Sequence, residues 1–356
     1  MTKATRGNFF EDLEPGATIE HPTPRTVTAG DVALYIALTG DRRPLPSAQT
    51  VARALGLRDC PLHDLLVFHI VFGKTVGQVS QNAVANLGYA DVRFLAPVFP
   101  GDTLRAVTEV LGRKETSSGK TGIVWVRTRG LNQHGAEVLR FCRWVMVEKR
   151  DPSRTTGAAD APTLPREVPA SELRLPEGLE LARWSEVAWA AGGRAAWEDF
   201  EIGERIDHVD GMTLDDADHT AATRLYQNTA RVHFNLHQMA SSRFGKRLVY
   251  GGHVISVAYA LAFNGLENAP CMLAWNGGSH TNPSFAGDTL YAWTEVLDKA
   301  PLTDDAGALR VRLSAAKNVD PSREPFAPRT GNEADPRLVL ELDLWLAVAR
   351  RVRVSP

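Results

Sequence analysis

PVFPGDTLRAVTEVL, residues Pro97–Leu111, is followed far downstream by PSFAGDTLYAWTEVL, residues Pro283–Leu297. The two stretches share a proline entry, a Gly-Asp-Thr-Leu turn and an alternating run ending in Thr-Glu-Val-Leu. Turn residues followed by period-two alternation read as a loop feeding a β-strand. Two more blocks repeat in the same order. FFEDLEPG (Phe9–Gly16) returns as AWEDFEIG (Ala196–Gly203), and TVTAGD (Thr26–Asp31) returns as TLDDAD (Thr213–Asp218). The offset stays at 186 to 187 residues, as the numbering of these blocks shows. Three blocks in one order at one offset mark an internal duplication. Two repeats are too few for a solenoid, so each copy is a module of about 150 residues.

Within a copy the periodicity changes along the chain. DVALYIALT (Asp31–Thr39), Ala48–Leu57 and the more apolar Leu65–Val79 read as helices. From Ala90 the pattern alternates through DVRFLAPV, TLRAVTEVL, GIVWVRTRG and EVLRFCRWVMVEK. Copy two repeats this with TLYAWTEVL, ALRVRLSAAK and LVLELDLWLAVARR, and Thr303–Arg337 is partly loop-like. Helices followed by an antiparallel meander give an α+β fold. The expected architecture is a tandem double hotdog, in which each antiparallel sheet wraps around a central helix. The expected division is an N-terminal module over 1–150, a linker over 151–190 and a C-terminal module over 191–356. Arg150–Gly178 has linker composition, rich in Pro, Ala, Thr and charge.

Composition narrows the functions. The 356 residues carry 40 basic and 42 acidic side chains, well mixed, for a net charge of −2. No basic stripe for nucleic acid and no polybasic membrane patch is expected from that balance. Cys60, Cys142 and Cys271 are few, odd in number and far apart, which fits a reducing cytoplasm. The opening residues lack the apolar core of a signal peptide. The apolar run Leu65–Phe72 is interrupted by His69 and is too short to span a bilayer.

The motifs resemble those of the MaoC-like, R-specific enoyl-CoA hydratase family. That family has a loop of the form Tyr-x-x-x-Ser/Thr-Gly-Asp-x-Asn-Pro-x-His ahead of its central helix. Copy one has Tyr35 through Thr39-Gly40-Asp41 to Pro46, and copy two has Tyr226-Gln227-Asn228 through Arg231 to His233. The strand entry Pro97–Leu104 is a second family feature, repeated at Pro283–Leu290 with Ala286 for the second proline. Within the family, the double length, TGDRRPLPS (Thr39–Ser47) and VYGGHVIS (Val249–Ser256) are most similar to members that interconvert mesaconyl-CoA (2-methylfumaryl-CoA) and β-methylmalyl-CoA. The resemblance implies a hydro-lyase acting on a short-chain CoA thioester, and a homo-oligomer of double-hotdog chains. Two alternatives stay open: a hydratase for neutral enoyl chains, and a non-catalytic acyl-thioester-binding protein.

Hydration of a conjugated thioester needs a base for water, an acid for the α-carbon and donors for the developing enolate oxygen. In the family an Asp and a His five residues apart hold the water. At the repeat offset Asp41 aligns with Asn228, and Pro46 aligns with His233. Each copy therefore keeps half of the pair. His233 is the expected acid–base group, because it alone titrates near neutrality without a large shift. Asn228 orients the water through its amide, and Asp41 is the catalytic candidate of copy one. Replacing Asp by Asn would remove a charge that repels a carboxylate-bearing substrate. Gly251 and Gly252 are the candidate oxyanion donors, in a segment Tyr250–His253 expected to precede the second helix of copy two, whose start adds a favourable dipole. Arg231, Tyr226 and His253 are candidate substrate contacts, with Arg42 and Arg43 available for a carboxylate or phosphates. His233 and His237 are spaced i, i+4 as zinc ligands can be, but they lack a third partner, so no metal and no cofactor is expected.

Overall fold

The computed structural model describes residues 3–351. Copy one begins with β1 (Thr18–Glu20), β2 (Arg25–Thr26), α1 (Ala29–Thr39), α2 (Gln49–Ala54) and α3 (Asp64–Thr75). It continues with β3 (Ala83–Phe94), β4 (Thr103–Glu115), β5 (Thr121–Leu131) and β6 (Glu137–Glu148). The connection contributes β7 (Ala159–Asp160) and α4 (Trp184–Ala191). Copy two has β8 (Arg205–Thr213), α5 (Asp216–Leu225), α6 (Leu236–Met239), α7 (Gly251–Leu261), β9 (Cys271–His280), β10 (Thr289–Pro301) and β11 (Ala306–Lys317). A small hairpin, β12 (Arg329–Thr330) and β13 (Glu333–Ala334), precedes β14 (Leu338–Ala349).

The main strands form one antiparallel sheet in the order β1-β4-β5-β6-β3-β9-β14-β11-β10-β8. The order is the same read from either end when repeat-equivalent strands are exchanged. The two copies are therefore related by a pseudo-twofold axis between β3 and β9. The seam pairs Tyr89 with Gly278 and Val92 with Trp275, which the repeat offset of 186 interchanges. Hairpin closure of β10 on β11 and of β4 on β5 continues the ladder outward. The two central helices α3 and α7 lie inside this sheet. Leu65 through Thr75 are all buried, as are Gly252 through Leu261. The axis passes between His69 and Ser256, repeat equivalents whose Nε2 and Oγ lie 2.9 Å apart.

Local signals set the helix ends. Thr28 and Asp31 form a capping box at the start of α1, and Gly40 ends it in the left-handed region at φ 68°. Asp215 caps α5, and Gln227 takes the equivalent left-handed position at φ 53°. Matching backbone at Gly40 and Gln227 supports the alignment of Asp41 with Asn228.

Three differences from the expectations have physical reasons. β3 starts at Ala83, not Ala90, because AVANLGYA has weak strand propensity and is held by pairing with β6, with β9 joining on the other side from Tyr89. The Leu65–Val79 helix is α-helical to Thr75 and then widens into a π-turn over Val76–Ser80. The connecting segment is not a bare spacer. Val168, Leu173, Leu179, Leu181, Trp184 and Val187 are buried, and they pack with Leu45, Val51 and Leu55 against Leu273, Trp345 and Ala347. On β14, Leu342, Leu344 and Leu346 face α7 while Trp345 and Ala347 face this strap. Cover on both faces explains why β14 reads as an almost unbroken apolar run.

Candidate active site

A cleft of about 710 Å³ opens between the copies. Copy two supplies Asn228, Arg231, His233, Tyr250, Gly251 and His280, and copy one supplies Phe72, Asn86, Tyr89 and Arg143. Its rim includes the exposed Gln238 and Arg243, and its inner end is closed by the buried Phe72, Tyr89 and Arg143.

The short helical turn Arg231–His233 carries His233 onto the cleft wall. Its Nδ1 lies 3.1 Å from the Leu248 carbonyl. A carbonyl only accepts, so Nδ1 holds the hydrogen and donates, leaving the Nε2 lone pair as the ring's basic atom. The Tyr250 ring packs edge-on against it at 5.3 Å. Burial pushes the His233 pKa down to about 4, against a smaller raising effect of the Leu248 bond. The expectation of unperturbed titration is thus corrected: the imidazole is neutral at pH 7 because the site is desolvated.

Asn228 is buried, and its Oδ1 accepts from the Ala230 amide at 2.9 Å. Asp41 makes the same turn in copy one, with Oδ1 accepting from the Arg43 amide at 2.8 Å. There the likeness ends. The Arg43 guanidinium pairs with the Asp41 carboxylate at 2.5 Å and lies over the Tyr259 ring at 3.6 Å. His63 adds Nε2 at 3.5 Å from Asp41. Burial raises the Asp41 pKa, but Arg43 and His63 outweigh it and hold the carboxyl well below its usual range. Asp41 is a fixed anion inside a salt bridge, outside the cleft, and the Arg43 that was available for a ligand is committed to it. Arg42 is exposed against Phe263.

Tyr250 is the N-cap of α7, so Gly251 and Gly252 are the first helical residues and do not precede the helix. The His253 and Val254 amides close on the Tyr250 carbonyl, which leaves the glycine amides as open donors at the helix's positive end. A Cβ on Gly251 would lie 2.5 Å from His280 Nε2, and one on Gly252 would lie 2.3 Å from the Tyr250 ring. A side chain at either position would require the neighbouring ring to shift. Only Gly251 lines the cleft; Gly252 is covered by Tyr250 and His69. Tyr226 and His253 are buried outside the cleft lining, so the structure does not bring these two expected contacts to it. Arg231 does line it.

His280 is the functional candidate that sequence reasoning missed. It ends β9 on the cleft wall, its Nε2 is buried with no hydrogen-bond partner, and burial pushes its pKa down to about 4. The signal was present in the repeat, where His280 stands opposite Phe94.

The equivalent place in copy one is nearly closed, with a residual space of about 40 Å³. Pro46 stands there for His233, His63 for Tyr250, Asp64 for Gly251, Phe94 for His280 and Val98 for Ser284. Pro176 and Leu179 of the strap line the remainder. Asp64 would also set a carboxylate where copy two leaves open amides. Among the described residues, no group of three or more His, Cys, Asp or Glu side chains is arranged to hold a metal ion, and no helix is long and apolar enough to cross a membrane.

Paired hotdog sheets with the His233 cleft between them define a double-hotdog protein of the MaoC-like hydratase class. A family model described as mesaconyl-CoA hydratase matches residues 1–326, and the chain belongs to that family of hydro-lyases. It is 52% identical over 98% of its length to a beta-methylmalyl-CoA dehydratase of Chloroflexus aurantiacus, covering 99% of that protein. It is also 52% identical over 98% of its length to a mesaconyl-CoA hydratase of Cereibacter sphaeroides, covering all of that protein. The solved structure of a MaoC domain protein dehydratase from C. aurantiacus superposes with a TM-score of 0.92 at 50% identity, covering 99% of this chain and 100% of that one. A Mycobacterium tuberculosis protein with a double hotdog fold superposes with a TM-score of 0.80 at 26% identity, covering 97% and 99%.

Proposed function

We propose that the chain hydrates mesaconyl-CoA to β-methylmalyl-CoA and catalyses the reverse dehydration, in the cleft of copy two. The observation that carries this reading is the placement of His233, whose Nδ1 donates to the Leu248 carbonyl and whose ring lines a cleft that also contains the open Gly251 amide. Membership of the family and two full-length relatives with these activities support the substrate.

In this reading the thioester carbonyl accepts from Gly251, which stabilises the enolate as it forms. His233 Nε2 takes a proton from water held with the Asn228 amide, and the hydroxyl adds to the carbon that bears the carboxylate. The proton then goes to the α-carbon on His233 or its water. Arg231, with Arg243 at the rim, faces the phosphates of CoA. Asp41 supports the fold of copy one. The modules run over 1–150 and 191–356, with the strap over 151–190 between them. Three free cysteines are consistent with a cytoplasmic enzyme.

The test is hydration of mesaconyl-CoA followed by loss of the enoyl-thioester absorbance, with the product identified as β-methylmalyl-CoA by mass and by reversal. Turnover of crotonyl-CoA with none of mesaconyl-CoA would assign the chain to neutral substrates. Binding of both without turnover would make it an acyl-thioester carrier.

A further inference from the structure

Arg143 is fully buried in β6 of copy one. Its guanidinium meets only neutral groups: Thr75 Oγ1 at 2.9 Å, Ser80 Oγ at 3.2 Å, Asn86 Oδ1 at 3.4 Å and the face of Phe72 at 4.3 Å. Its Nε has no hydrogen-bond partner. Arg43, the other fully buried arginine among the described residues, is neutralised by Asp41. A buried cation without a counter-charge is costly, and a fold tolerates it where an anion is to be received.

Two further observations point to a ligand. Arg143 lines the cleft of His233, and so do three other side chains with a buried, unpartnered polar atom: Asn86 Nδ2, His280 Nε2 and Ser284 Oγ. The repeat supplies the second. Arg143 pairs with Tyr89 in the sheet as Leu344 pairs with Trp275. Tyr89 and Trp275 are repeat equivalents, so an apolar Leu344, buried in the core, stands in the pseudo-symmetric place of the cation. The charge accompanies the open cleft alone.

We propose that Arg143, contributed by the copy whose own cleft is closed, binds the free carboxylate of the acyl group at the buried end of the cleft, with the Asn86 amide as a second donor. The guanidinium and amide thereby select dicarboxylic over monocarboxylic thioesters. This rests on the proposed hydratase reading and adds the residues that read the acyl charge. It also gives the fusion of two copies a role, since each provides half of one site.

The experiment compares wild type, Arg143→Met, Arg143→Lys and Asn86→Leu. It measures kcat/KM on mesaconyl-CoA and crotonyl-CoA, calorimetric affinity for succinyl-CoA, butyryl-CoA and free CoA, and thermal melting. The preference for mesaconyl-CoA over crotonyl-CoA, and for succinyl-CoA over butyryl-CoA, should fall about a hundredfold in Arg143→Met. Arg143→Lys should keep part of it, and Asn86→Leu should lose a smaller part. Equal losses on charged and neutral thioesters would make Arg143 structural and overturn the proposal. A matching loss of free CoA affinity would assign the guanidinium to a CoA phosphate and overturn it as well. If Arg143→Met does not fold, an unchanged preference in both Arg143→Lys and Asn86→Leu refutes the proposal. If wild type does not hydrate mesaconyl-CoA, the hydratase reading fails, and the succinyl-CoA preference still tests the carboxylate site by itself.

Discussion

His233 and Pro46 occupy equivalent places, and only one of them can move a proton. His233→Ala should lower kcat/KM on mesaconyl-CoA by roughly two to four orders of magnitude, the usual contribution of general acid–base catalysis, with little change in melting temperature. The form that accepts a proton is the neutral imidazole, and burial pushes its pKa down to about 4. Activity should therefore persist as pH falls through 6.5. The acid limb of kcat/KM, read in brief pH-jump assays, should lie near 4; a limb near 6.5 would mean that another group is the base. At Asn228 the charge can be restored. The Asp41 turn shows that an aspartate fits this backbone, so Asn228→Asp should fold. Two like charges about 5 Å apart at an effective dielectric near 20 repel by about 3 kcal/mol, less when solvent enters. Asn228→Asp should therefore lose up to about a hundredfold on mesaconyl-CoA and little on crotonyl-CoA. Equal losses on both would mean that Asn228 does not sense substrate charge.

At the scale of elements, the strap between the copies decides which cleft is open. Its apolar residues cover the outer face of β14 and fill the cleft of copy one, where Leu179 is 6% exposed. Leu179→Ala should destabilise the chain by about 2 to 4 kcal/mol in urea unfolding, as truncations of buried leucine do. Steady-state kinetics on mesaconyl-CoA should be unchanged, because Leu179 touches only the closed cleft. A large loss of kcat at normal stability would give copy one a part in catalysis. The helix starts make the same division. α7 begins with two glycines and free amides, whereas α3 begins with Asp64, whose carboxylate accepts from Met272 N at 2.8 Å.

Across the whole molecule, burial of imidazoles sets the response to acid. His21, His208, His233, His253 and His280 are each pushed down to about 4 by burial, and His69 goes well below its ordinary value. The unfolded chain holds these groups near 6.5, so it binds protons that the folded chain refuses. Their contribution is fully present above pH 6.5 and is lost as pH falls toward about 4. The melting temperature should be nearly flat from pH 7 to 8 and drop steeply between pH 6.5 and 4. A flat profile across the lower window would contradict the burial of these rings.

The sequence by itself determined the duplication, the α+β order of each copy and the family. Blocks such as GDTL at Gly101–Leu104 and Gly287–Leu290 encode local turns and strand patterns that need no partner to be read. It also separated His233 and Asn228 from Asp41 and Pro46, because the repeat aligns one copy against the other. Tertiary structure alone decided what those residues became. Asp41 is spent in a salt bridge because Tyr259 of the other copy stacks on its arginine. Tyr226 and His253 share motifs with the site yet face the core. Arg143 and Asn86 lie far from every motif, and reach the cleft because β3 meets β9 across the pseudo-twofold axis. Burial, and with it the charge state of each histidine, depends on contacts between elements, from Leu248 beside His233 to Ser256 beside His69, which no local pattern encodes.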